Sequence, residues 1–169
     1  MTKSRRSNSA SQPVAVPVDL EVRRAADVSA ADILAPLDDA ALRLVLGRLT
    51  FDHGRPQAEA TVSFVGDREM TRVNTDALGH AYTTDVLSWS YHDPHDPAAP
   101  AEGELLINPS YALREARLRG IDPPAEVLLY LIHGWLHVLG YDDQRAAEKA
   151  EMDRVQASYW SMLRAHLGV

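Results

Sequence analysis

The chain has 169 residues, a net charge of −7 and 46% hydrophobic residues, enough for one sizeable core and short for two. It contains no cysteine, which excludes disulfides, a thiol nucleophile and Cys-based zinc or iron–sulfur sites, and fits a cytoplasmic location. The acidic balance argues against bulk electrostatic wrapping of nucleic acid, and no apolar run reaches the length of a membrane span.

Residues 1–17 are rich in Ser, Pro and small side chains, with Lys3, Arg5 and Arg6 near the start. This composition predicts a disordered tail, with the folded domain over 18–169. Arg5 and Arg6 lack the apolar segment that a twin-arginine signal requires. Val18 to Arg23 predicts a first strand, and Ala30 to Leu49 carries leucines and alanines at helical spacing. After the break at His53-Gly54-Arg55-Pro56, Ala58 to Val65 alternates as a second strand, and Asp67 to Asn74 reads as a short helix.

Thr83 to Ser90 is a β-rich run and predicts a third strand. His92-Asp93-Pro94-His95-Asp96-Pro97 follows, a turn-rich repeat whose two histidines read as exposed loop residues. Gly103 to Ile107 predicts a fourth strand. Asn108-Pro109 opens a helix to Arg119, and Gly120 closes it. The basic trio Arg114, Arg117 and Arg119 on that helix offers a small positive field for RNA phosphates. Gln144 to His166 predicts a closing helix whose stripe is Met152, Val155, Tyr159 and Met162.

Between these two helices lies the segment that dominates the sequence. Asp122 is placed to cap a helix whose first turn holds Pro123 and Pro124. From Val127 to Leu139 nearly every residue is apolar, so this helix belongs in the middle of the domain. It carries His133 and His137, four apart and therefore on one face. Gly140 supplies the positive φ that turns the chain back and brings Asp142 and Asp143 over the histidines. Two imidazoles and one carboxylate are the ligand set of an open catalytic zinc site. Either aspartate serves as the third ligand on this argument, the other capping the helix that begins near Gln144. Gly134 leaves room for a backbone or a substrate close to the metal. It also stands where a His-Glu-x-x-His peptidase has its general base, which weakens a zinc-peptidase reading.

Strands mixed with helices and no strict βαβ repeat predict an α+β fold: a small mixed four-stranded sheet packed with about five helices around the metal-bearing one.

The run from His133 to Asp143 resembles the YbeY-type endoribonucleases, the bacterial rRNA maturation factors. Asn74 with Leu78-Gly79-His80 and Thr84-Asp85-Val86-Leu87-Ser88 is similar to a second signature of that family, and Gly103 to Ile107 to a third. The resemblance covers about 18–163. It implies one zinc ion per chain and a metal-dependent cut in single-stranded RNA during rRNA maturation and ribosome quality control. RNA and ribosomal or assembly proteins would be the partners. It implies a zinc-bound water held by His133, His137 and Asp143, the last standing where most members have histidine. The family's catalytic arginine position falls on Leu78, leaving Arg114, Arg117 or Arg72 as substitutes, with Arg114 the phosphate-binding candidate. Leu78 supports the rival reading, a non-catalytic assembly factor with a structural zinc.

Overall fold

A computed structural model describes residues 15–25, 28, 31–93 and 95–169. The predicted tail lies outside these residues except for Ala15 to Pro17, which run into the first strand. There the Val16 N–H donates to the Gly47 carbonyl at 3.2 Å.

Four strands form one sheet in the order β1-β2-β4-β3: β1 Val18–Arg24, β2 Ala58–Phe64, β3 Val86–Ser90 and β4 Ala101–Ile107. The first three in that order, counted β1, β2 and β4, run parallel, and β3 lies antiparallel on the edge of β4. Among the described residues six helices accompany them: α1 Ala31–Leu34, α2 Asp39–Asp52, α3 Asp67–Leu78, α4 Pro109–Arg119, α5 Pro123–Val138 and α6 Ala146–Leu167. The fold is a single α+β domain.

The helix expected over 30–49 is divided in the structure. Pro36 cannot continue a helix, and Asp38 opens a new one by accepting from the Ala41 N–H at 2.9 Å. The helix expected over 67–74 runs on to Leu78, where Gly79 at φ 75° ends it. Asn108 caps α4 through its side chain, as the Asn-Pro signal suggests.

Helix α5 is the hub, touching α1, α2, α4, α6, β3 and β4. Val127, Leu128, Leu131, Ile132, Trp135 and Leu136 are fully buried, as a helix apolar all round must be. Asp122 stands at its N-cap, yet the side chain makes no capping bond; the Asp122 carbonyl instead accepts from Ala125 and Glu126. A β-carbon at Gly134 would lie 2.9 Å from Leu105 Cδ2 and 3.1 Å from Val86 Cγ2. The glycine thus seats α5 on the side chains of the sheet. At α6 the buried stripe ends on Leu163 rather than Met162, which is 39% exposed.

Candidate metal centre

The site is assembled at the C-terminal end of α5, where the chain leaves the helix and reverses. Leu139 caps the helix, Gly140 follows at φ 101°, and two bonds close the turn: Gly140 N–H to the His137 carbonyl and Tyr141 N–H to the Leu136 carbonyl, both at 3.0 Å. This paired reversal satisfies carbonyls that the helix end would leave unbonded. The following residues fold back over the histidine face. The Asp142 carboxylate is taken up by its own turn, accepting from the Asp143 N–H at 2.7 Å and the Gln144 N–H at 3.1 Å. The Asp143 carboxylate is left to approach His137, at 3.9 Å from its Nε2. Helix α6 starts at Ala146, with Arg145 as its N-cap and no side-chain capping bond, so neither aspartate caps it.

The two rings meet edge to face, with centroids 4.7 Å apart, and their Nε2 atoms stand 3.1 Å apart. Each Nδ1 has a partner on the far side. His137 Nδ1 lies 2.9 Å from the Tyr141 carbonyl, which only accepts, so the proton of the neutral ring sits on Nδ1. His133 Nδ1 lies 2.7 Å from Gln156 Oε1, which assigns the same tautomer. Both Nε2 lone pairs then face one another with no proton between them. Such a pair calls for a cation. Two nitrogens on a tetrahedral zinc at about 2.0–2.1 Å stand about 3.3 Å apart, close to the spacing here. One ligand atom from each of His133, His137 and Asp143 lies within 4.8 Å of the others. Burial, then the neighbouring His133, lowers the His137 pKa from its ordinary value, keeping the imidazole neutral and able to donate its lone pair.

Behind the turn, Tyr141 is tied to α2. Its hydroxyl donates to His53 Nε2 at 3.0 Å, while His53 Nδ1 donates to the Leu49 carbonyl. The strap that carries the His137 acceptor and Asp143 is therefore anchored at both its ring and its backbone.

A surface cleft of about 410 Å³ opens over the two histidines, lined also by Leu78, Val86, Ser88, Asp142, Asp143 and Gln144. Among the described residues no lysine or arginine lines it. Leu78, 57% exposed, stands in its wall. Arg114 lies elsewhere: its guanidinium grips both oxygens of Asp67 at 2.8 Å. Arg72 is bound to Glu69 and Asp76 on α3. Arg119 pairs with Glu115 and with the fully buried Glu126. Arg117 is exposed. His92 accepts from the Glu102 N–H through Nδ1, and His95 sits on an exposed turn, so the structure brings neither to the cluster.

One partner of the site escaped the sequence reading. Gln156 is a polar residue on the inner stripe of α6, between Met152 and Tyr159, and that position was its only signal.

Fold and cleft together define a small α+β protein with a solvent-open His-His-Asp cluster on its central helix. Comparison with known proteins narrows that class. The family model described as Endoribonuclease YbeY matches residues 32–164, and the chain belongs to this family of endoribonucleases, hydrolases that cut RNA phosphoester bonds. Endoribonuclease YbeY of Thermus thermophilus is 34% identical over 116 residues, 68% of this chain and 84% of that one. Endoribonuclease YbeY of an Anaeromyxobacter species is 38% identical over 104 residues, 62% of this chain, and the match spans about half, 54%, of that longer relative. The solution structure of a Thermotoga maritima protein shares the fold, with a TM-score of 0.58 at 22% identity, covering 86% of this chain and 91% of that one. Among the described residues no helix is long and apolar enough to cross a membrane.

Proposed function

We propose that this chain is a zinc-dependent endoribonuclease that cuts single-stranded RNA in rRNA maturation and ribosome quality control, in the cytoplasm, alongside ribosomal or assembly proteins. His133 and His137 hold the ion through Nε2, and Asp143 supplies the third donor atom. The observation that carries this reading is the pair of Nε2 lone pairs facing each other at 3.1 Å, each ring fixed from behind by Gln156 or Tyr141. A bound zinc ion would supply Lewis acidity toward a phosphoryl oxygen and lower the pKa of a water beside it. The protein's part is to aim the donors, to keep the His137 imidazole neutral, and to leave one side of the cluster open to an RNA strand. Gln156 and the Tyr141 carbonyl set the tautomers, and His53 steadies the strap that carries Asp143.

A second reading has one observation in its favour. Among the described residues the cleft wall presents Leu78 and no arginine or lysine to a phosphate, which suits an assembly factor whose zinc is structural. The peptidase reading has no general base at Gly134.

Purified protein with its metal quantified, incubated with single-stranded and duplex RNA, separates these readings. The endoribonuclease reading expects cleavage of the single strand, arrest by a chelator and recovery on adding Zn²⁺. One ion per chain with no cleavage of any RNA would favour the assembly factor.

A further inference from the structure

Two residues past Leu78, which stands in the cleft wall, the chain carries an aromatic pair that the metal chemistry does not use. Helix α3 ends at Leu78, Gly79 takes φ 75°, and the chain turns into His80-Ala81-Tyr82. The rings of His80 and Tyr82 lie face to face, 5.2 Å between centroids and 11° between planes. Both residues are exposed, Tyr82 by 59%. The segment is firmly held. Asn74, itself buried, donates from Nδ2 to the Tyr82 carbonyl at 2.9 Å and accepts from the His80 N–H at 3.3 Å, and the Thr75 hydroxyl donates to the His80 carbonyl at 3.2 Å. A stacked, rigid and solvent-facing ring pair is ordered before any ligand arrives.

The charge of the cleft says what such a pair is suited to. With Asp142 and Asp143 in the wall, no lysine or arginine there among the described residues, and a net charge of −7 for the chain, phosphates find little to hold them. A strand reaching this cleft must be held by another part of its nucleotides. Base–aromatic stacking is the sequence-tolerant alternative, since every base has a π-face, and it is open only to unpaired bases. We infer that His80 and Tyr82, continuous with Leu78, form a nucleobase-stacking platform that holds an unpaired base of an RNA strand entering the cleft. The inference rests on the reading of the cleft as a site for RNA. It also gives single-strand preference a physical source: a paired base keeps its faces inside the duplex.

The test is binding measured by fluorescence anisotropy with a short labelled single-stranded RNA, in chelator so that nothing is cut. A matched strand lacking its bases serves as the comparison. Tyr82→Ala should weaken binding to the base-bearing RNA about five- to hundred-fold, the range that base stacking is worth. Tyr82→Phe should restore it to within about twofold. The slope of affinity against salt should not change, because no phosphate contact is lost. The base-free strand should bind wild type and Tyr82→Ala alike. Unchanged affinity in both Tyr82→Ala and His80→Ala, or an equal loss on the base-free strand, would overturn the platform. Base-dependent loss in Tyr82→Ala, combined with no cleavage by the metal-loaded wild type, would uphold the platform and overturn the endoribonuclease reading. A wild type that binds neither strand would overturn both.

Discussion

Two polar clusters stand out in this domain, and they are finished differently. Around Asp67 every strong group is answered: the carboxylate takes two bonds from Arg114, one from Asn108 Nδ2 at 2.7 Å and one from the Thr83 hydroxyl. Arg114, with its own hydrogen bond foremost, holds the Asp67 carboxyl below the usual carboxylate range. Around His133 and His137 only the outer nitrogens are answered, and the inner ones converge unprotonated. A closed cluster ties α3 to α4 and offers nothing to a ligand. The open one is organised toward a cation. The difference teaches that charge near a cleft is a poor guide to function, and that unspent lone pairs held in fixed directions are a better one.

The contrast predicts a double dissociation. The largest effect is expected from His137→Ala, which should lower Zn²⁺ affinity by orders of magnitude while the metal-free domain keeps its circular dichroism; competition with a chromophoric chelator measures the first. Next comes the pair of aspartates. Asp143→Ala should cost most of the metal affinity, whereas Asp142→Ala, which loses only a turn, should retain it; the two compared side by side by elemental analysis decide the third ligand. Gln156→Met removes the acceptor behind His133 at similar volume and should weaken metal binding about 10- to 100-fold, with Gln156→Glu restoring it.

Changes away from the open cluster should register in stability instead. Gly134→Leu drives a side chain into Leu105 and Val86 and should cost about 3 kcal/mol in urea unfolding. Asp67→Asn should cost no more than about 1 kcal/mol, because the pair is half exposed and screened, and should leave metal content intact. Its sign with pH is fixed. A carboxyl whose folded pKa is depressed contributes stability above its unfolded value, and that contribution fades as pH falls through the folded one. Wild type and Asp67→Asn should therefore converge in stability under acid.

What the sequence made legible were features with short-range signatures. His133 and His137 share a face by spacing alone, Gly140 announces the reversal, and Asn108-Pro109 and Gly120 bracket α4. Spacing alone left Asp142 and Asp143 both within reach of the turn and the family resemblance pointed to Asp143; the structure adds that Asp142 Oδ1 accepts from the Asp143 and Gln144 N–H groups. Partners distant in sequence stayed hidden. Gln156 is 23 residues from His133, and the His53–Tyr141 bond joins residues 88 apart. Arg114 looked available as a cation because nothing local reveals Asp67, 47 residues earlier, as its partner. Helix propensity misled at Pro36, where leucine and alanine spacing continued across a break in the backbone.

The central claim is that the inner nitrogens of His133 and His137, with Asp143, form a single metal site. Calorimetric titration of metal-free protein with Zn²⁺ tests it most directly, run on wild type and on the His133→Ala, His137→Ala double variant, with folding of both confirmed beforehand. The account predicts a saturable event of about one ion per chain in the wild type and none of comparable affinity in the double variant. Equal stoichiometry and affinity in the two proteins would contradict it.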